Sequence, residues 1–242
     1  MTAMEQMGKR AKEAAAVLAV AGRKKNDALL AIAQALLSHS EEILKENQKD
    51  LENGKNAGLT PSLLDRLALS QERIAAMAEG VRQVAAMPDP IGTVLSGGVR
   101  PNGLEITKVR VPLGVIGIIF EARPNVTSDA AALCLKAGNA VILRGGKEAI
   151  YSNLAIAGVM REAVAQAGLP RDSVQLVEDT SRQSSVELME LTEYLDVLIP
   201  RGGAGLIKTV VEKSKVPVIE TGVGNCHVYI DSDADLEMAA SV

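Results

Sequence analysis

Aromatic side chains are almost missing from this 242-residue chain, which has no Trp, one Phe and three Tyr. That removes the stacking platforms on which single-stranded nucleic acids are held. The core must then be built from Ala, Leu, Val and Ile. Cys and His are equally scarce, two of each: Cys134, Cys226, His39 and His227. So few thiols and imidazoles form neither a disulfide framework nor a zinc-ligand cluster, so no metal is expected and a reducing cytoplasm is. Positive charge is not in excess either. A net charge of -4 leaves no basic stripe for a nucleic acid or an anionic membrane, which makes a small molecule the expected ligand. Long apolar runs are missing too: Val111 to Phe120 is broken by Pro112, Gly114 and Gly117 and falls short of the roughly 20 residues of a membrane-spanning helix. Met1 to Arg10 is polar and lacks the apolar stretch and cleavage site of a signal peptide.

What is present is a change of pattern along the chain. From Met4 to about Met87, apolar residues recur at three and four, as in Leu29, Leu30, Ala33, Leu36 and Leu37, which predicts an opening layer of helices over residues 1–90. Thr60-Pro61 reads as a cap followed by Pro at the first helical position, and Met87-Pro88-Asp89-Pro90 closes the array. Residues 91–111 read as a β-hairpin: Gly97 to Gly103 makes a turn feeding Leu104 to Val111, which alternates apolar and charged residues as a half-exposed, oligomerisation-type strand does.

From residue 112 to 242 short continuous apolar strands alternate with helices. The strands are expected at Val115–Phe120, Ala140–Leu143, Val174–Val177, Leu195–Ile199, Pro217–Ile219 and His227–Ile230. The helices between them are expected at Val126–Ala137, Glu148–Ala167, Ser184–Leu191 and Ala204–Lys213. Repeated βαβ units demand a parallel sheet with helices on both faces, so the fold class is α/β with a Rossmann-type layer.

Ligands of such sheets bind at the carboxyl ends of the strands. Three strand ends carry suitable chemistry. Phe120 runs into Glu121-Ala122-Arg123-Pro124-Asn125 at the head of an Ala-rich helix, and its Arg, Asn and helix-start N–H groups suit an anionic or carbonyl-bearing substrate. Arg144-Gly145-Gly146-Lys147 places two cations beside bare backbone, which suits a ribose phosphate. Arg201-Gly202-Gly203 would let helix-start N–H groups approach a pyrophosphate. The plainer reading of the last two is an ordinary strand-to-helix loop with solvated cations. No Gly-x-Gly-x-x-Gly fingerprint follows any strand. Glu220 ends a strand before Thr221-Gly222-Val223-Gly224 and points a carboxylate into the cleft, unless it is a cap or loop residue. Cys134, among Ala130, Ala131 and Leu133, reads as core, and Cys226 as a buried, inert residue at a strand start.

The segments Phe120 to Thr127, Val141 to Ala149 and Val218 to Val228 resemble the γ-glutamyl phosphate reductase (glutamate-5-semialdehyde dehydrogenase) family of the aldehyde dehydrogenase superfamily, over essentially the whole chain. The resemblance implies NADPH-dependent reduction of L-glutamate 5-phosphate to L-glutamate 5-semialdehyde and phosphate in proline biosynthesis, by way of a cysteinyl thioester. It implies cofactor contacts at Arg144, Gly145, Lys147, Arg201, Gly202, Gly203, Thr221 and Gly222. Arg144 stands where most aldehyde dehydrogenases carry Lys and, with Lys147, favours NADPH, while Glu178 keeps NADH open. Asn125 becomes the oxyanion donor, Arg123 the group that holds substrate phosphate or carboxylate, and Glu220 the counterpart of the general base in a Glu-Leu-Gly-Gly motif. Asp233 is the expected cap of a following helix. The nucleophile belongs to a Ser-Val-Cys-Asn motif absent from these residues, so the chain reads as the N-terminal part of a two-domain enzyme, inactive alone. A homo-oligomer, and work beside glutamate 5-kinase, are the implied associations. The rival readings are another aldehyde dehydrogenase-type oxidoreductase and a non-catalytic nucleotide-binding fragment.

Overall fold

The computed structural model describes residues 1–220, 222 and 227–241. The chain opens with five helices: α1 (Ala3–Leu18), α2 (Lys24–Ser38), α3 (Ser40–Asn56), α4 (Pro61–Leu67) and α5 (Gln71–Ala86). Their starts follow from local hydrogen bonding. Thr2 and Glu5 form a reciprocal capping box on α1, Thr60 accepts from the Leu63 N–H ahead of Pro61, and Ser70 accepts from the Arg73 N–H. In α2 the buried Leu29, Ile32, Ala33 and Leu36 make one apolar stripe.

The hairpin follows as β1 (Val94–Val99) and β2 (Glu105–Val109), paired antiparallel. Gly97 and Gly98 lie within β1, and the turn is confined to Arg100–Gly103, where Gly103 has a φ of 84°. Both strands are exposed along their whole length, where alternation predicts a half-exposed pair.

The rest is the expected α/β layer: β3 (Val115–Phe120), α6 (Asn125–Lys136), β4 (Ala140–Arg144), α7 (Ile150–Gln166), β5 (Val174–Leu176), α8 (Arg182–Glu190), β6 (Val197–Arg201), α9 (Ala204–Lys213) and α10 (Leu236–Ser241). The four strands form a parallel sheet in the order β5-β4-β3-β6. The central strands are buried, save the half-buried Arg144 that ends β4, because helices cover them: α6 packs on β3 and β4, α7 on β5, and α1 against β3, β4 and β5. The opening helices stack outside this layer, α2 and α3 on α7 and α5 on α6, and side chains from both parts join one hydrophobic cluster.

Two expected strands do not form. Pro217–Ile219 makes a single parallel bridge, Leu198 with Val218, beside β6. His227–Ile230 has no regular secondary structure, with Tyr229 86% exposed; an apolar run becomes a parallel strand only where a neighbour supplies its ladder and helices cover its faces. Asp233 does not cap the last helix. Asp235 does, its carboxylate accepting from the N–H groups of Glu237 and Met238.

This topology sets where a ligand belongs. From β3 the chain crosses to β4, whereas β6 lies on the other side of β3, so the crevice of the sheet opens at the paired ends Phe120 and Arg201.

Candidate active site

At the end of β3, a turn closed by the Arg123 N–H to Glu121 C=O bond leads into α6, with Pro124 buried beneath it. A cavity of about 410 Å³ lies between this turn and the α4–α5 corner. Arg123, Asn125 and Asp129 line one side, and Asp65, Arg66 and Arg73 the other. The second set is invisible in the sequence, because nothing in the spacing of residues 65–73 places them opposite residue 123. The one local signal is the Thr60-Pro61 cap, which starts the helix that carries Asp65 and Arg66; Arg73 comes from α5.

The α4 wall is fixed by buried polar groups. Asn47 of α3 donates through Nδ2 to Leu67 C=O and to Ser152 Oγ, both at 2.9 Å, and accepts from the Leu69 N–H at 2.9 Å. Asp50, one turn later, accepts from the N–H groups of Tyr151 and Ser152 at the start of α7 and from Ser152 Oγ at 2.6 Å. Burial raises its carboxyl above the ordinary range although those three donors act against it. Arg73 completes the brace, donating to the carbonyls of Asp65 and Ala68 and to Asp65 Oδ1 at 2.8 Å.

The charges facing the cavity are therefore of two kinds. Arg73 and Asp65 are paired with each other. Arg66 and Arg123, both exposed, have no hydrogen-bond or ion-pair partner for their guanidinium groups among the described residues. Asp129 accepts a hydrogen bond from Asn125 Nδ2, at 2.9 Å, and burial raises its carboxyl. Asn125, the expected oxyanion donor, thus spends one of its two amide N–H groups on Asp129.

The end of β4 differs. Arg144 is no free cation: its terminal nitrogens donate to the carbonyls of Gly145 at 3.1 Å, Thr180 at 2.9 Å and Ser181 at 3.0 Å, and desolvation lowers its pKa. A phosphate at this strand end would therefore meet only the N–H groups of Arg144 that do not already brace the loop ahead of α8. Its Nε is buried without a partner, as is Nδ2 of Asn153. Gly145 is bare for an internal reason, since a Cβ there would lie 2.3 Å from Asn153 Nδ2 and 3.1 Å from the Phe120 ring. Lys147 is exposed and, among the described residues, unpaired, and Glu178 is exposed beyond β5.

At the end of β6 the glycines make room for a side chain. The Gly203 N–H donates to Glu121 Oε2 at 3.0 Å, and a Cβ on Gly202 would lie 2.6 Å from Glu121 Cδ. The carboxylate of Glu121 therefore sits on the helix-start N–H that the glycine pattern offers to a pyrophosphate, and the two anions cannot share it. Arg201 is exposed beside it. Glu220 and Gly222 lie exposed in the segment after the Val218 bridge, and Thr221 and Cys226 fall outside the described residues. Cys134 is in the core as expected, and burial pushes its thiol up to about 12.

Among the described residues no group of three or more His, Cys, Asp or Glu could hold a metal ion, and no helix is long and apolar enough to cross a membrane.

A model of the aldehyde dehydrogenase family matches residues 2–242. The γ-glutamyl phosphate reductase of Carboxydothermus hydrogenoformans is 62% identical over 237 residues, covering 98% of this chain and 57% of that protein. That of Moorella thermoacetica is 60% identical over 240 residues, covering 99% and 57%. Among solved structures, the γ-glutamyl phosphate reductase of Thermotoga maritima superposes with a TM-score of 0.91 at 45% identity, covering all of this chain and 58% of that one. The Saccharomyces cerevisiae enzyme of the same name gives 0.85 at 35% identity, covering 98% and 60%. The chain thus spans 57% to 60% of the length of these four relatives.

Proposed function

The chain belongs to the aldehyde dehydrogenase family, and from that premise we propose that it forms the cofactor-binding and substrate-positioning part of a γ-glutamyl phosphate reductase, acting in proline biosynthesis. The reaction is reduction of L-glutamate 5-phosphate by NADPH to L-glutamate 5-semialdehyde and phosphate. One observation carries the reading: 62% identity to a protein of that name, sustained over 98% of the chain. The cavity is consistent with it. Arg123, unpaired at the end of β3, offers the charged donor an acyl phosphate needs, and the second amide N–H of Asn125 is the donor left for the developing oxyanion. Glu220 acts in positioning, since acyl-phosphate reduction needs no hydrolytic water.

The residues at the end of β4 fit the adenosine side of a nicotinamide cofactor, which supplies the hydride when bound. Lys147 is a free cation for a 2′-phosphate, and Arg144 Nε and Asn153 Nδ2 are buried donors without partners. Arg144 contributes by shaping the loop. A pyrophosphate at the β6 end would have to displace Glu121 from Gly203. The exposed apolar residues of the hairpin, Val94, Leu95, Val99, Ile106 and Val109, support a homo-oligomer.

Calorimetry on the 242-residue chain, with NADPH oxidation followed by absorbance, tests the proposal. The expected result is binding of NADPH ahead of NADH without turnover, because the Ser-Val-Cys-Asn thiol is not among these residues and Cys134 is buried. Equal affinity for the two cofactors overturns the NADPH assignment. Turnover of a free aldehyde without phosphate overturns the acyl-phosphate reading in favour of another aldehyde dehydrogenase.

A further inference from the structure

The γ-glutamyl phosphate reading assigns the phosphoryl end of the substrate to Arg123 and leaves its amino-acid end without a partner. Resting on that reading, we infer that Arg66 and Asp129 recognise the amino-acid head, Arg66 taking the α-carboxylate and Asp129 the α-ammonium.

The charges left over in the cavity point to this. Six charged or amide side chains line it, and the structure already neutralises two of them against each other: Arg73 and Asp65 meet at 2.8 Å. Arg73 also occupies the free carbonyls at the end of α4, so the backbone there leaves little for Arg66 to grip. What remains facing the cavity is two cations, Arg66 and Arg123, and one anion, Asp129. A ligand that completes this set carries two anionic groups and one cationic group. γ-Glutamyl phosphate has that complement, with phosphate at one end and a zwitterionic amino-acid head at the other. A simple aldehyde or an unsubstituted acyl phosphate lacks the head and would leave Arg66 and Asp129 to water.

The placement follows from the elements. Arg123 and Asn125 stand at the carboxyl end of β3, where the chemistry of the sheet is set. Arg66 comes from the helical layer on the facing wall, held there by the Asn47 bonds to Leu67 and Leu69. Asp129, one turn into α6, is exposed on the cavity lining, accepts a hydrogen bond from Asn125 and has no cation paired with it among the described residues, so an ammonium in the cavity supplies its counter-charge. The opening helices then have a function beyond covering the sheet: they read which acyl phosphate enters.

The test uses three stable phosphonates on the 242-residue chain, measured by calorimetry. L-2-Amino-6-phosphonohexanoate keeps the bond count between α-carbon and phosphorus, 6-phosphonohexanoate omits the ammonium, and 5-aminopentylphosphonate omits the carboxylate. Arg66→Gln is expected to weaken the two carboxylate-bearing probes by about tenfold or more and to leave the third unchanged, with Arg66→Lys restoring part of the loss. Asp129→Asn is expected to weaken only the two amine-bearing probes. Thermal melts confirm that each variant is folded. If Arg66→Gln changes none of the three, or all three alike, while Arg123→Ala still weakens binding of every phosphonate, the head assignment is wrong and the substrate reading survives. If the native chain binds none of the probes, both fall.

Discussion

The ends of β3 and β4 carry the same kinds of residue, an Arg at a Gly- or Pro-restrained turn before a helix, yet they do different work. Arg144 is gripped by three backbone carbonyls and helps build the loop beside it. Arg123, one strand over, has no partner among the described residues and faces an open cavity. Whether a cation at a strand end belongs to a ligand depends on which acceptors the fold has already placed within its reach. The same holds for anions: Glu121 is spent on Gly203, while Asp129 is left short of a counter-charge.

Substitutions can break or sharpen that contrast. The largest effect is expected at neither Arg but in the brace behind the cavity. Asn47→Ala removes three hydrogen bonds from a site 1% exposed and strands the Leu67 carbonyl and the Leu69 N–H. It should cost about 3 kcal/mol of stability, read from urea unfolding, and loosen substrate binding with it. Arg123→Ala should do the reverse, leaving the unfolding midpoint unchanged while phosphonate affinity falls by about 2 kcal/mol in calorimetry. Arg144→Ala should lower stability by about 1.5 kcal/mol in the same unfolding assay, half-buried as it is, and weaken NADPH and NADH to the same degree, since it shapes the loop and does not read the 2′-phosphate. Lys147→Ala is the smallest change: about 1 kcal/mol lost from NADPH binding, nothing from NADH, and no effect on melting. A selective loss of NADPH in Arg144→Ala but not in Lys147→Ala would reverse the roles of these two cations.

The sheet was legible because its information is local. Val115–Phe120 and Ala140–Leu143 are apolar runs bounded by turn residues, and α9 begins and ends at Ala204 and Lys213 as its pattern predicts. His227–Ile230 looks the same in sequence and forms no strand, because strand formation needs a partner edge that the run itself does not encode. Asp233 and Asp235 are equally good caps by composition; the helix start at Leu236 selects Asp235. At the site, the turn Arg123 to Asn125 could be read from strand-end position. The facing Arg66 could not, since it reaches the cavity through the packing of α4 on α3 and of α5 on α6, contacts that the residues around it do not encode. Nor could the state of Arg144 be read, because its acceptors lie at Thr180 and Ser181 on another loop.

A crystal structure of this chain with L-2-amino-6-phosphonohexanoate and NADPH tests the central claim most directly. The predicted result is the phosphonate against Arg123 with its carboxylate toward Arg66, and the 2′-phosphate of NADPH beside Lys147. A phosphonate bound at the end of β4, or an adenosine ribose seated in the cavity between α4–α5 and Arg123, would contradict it.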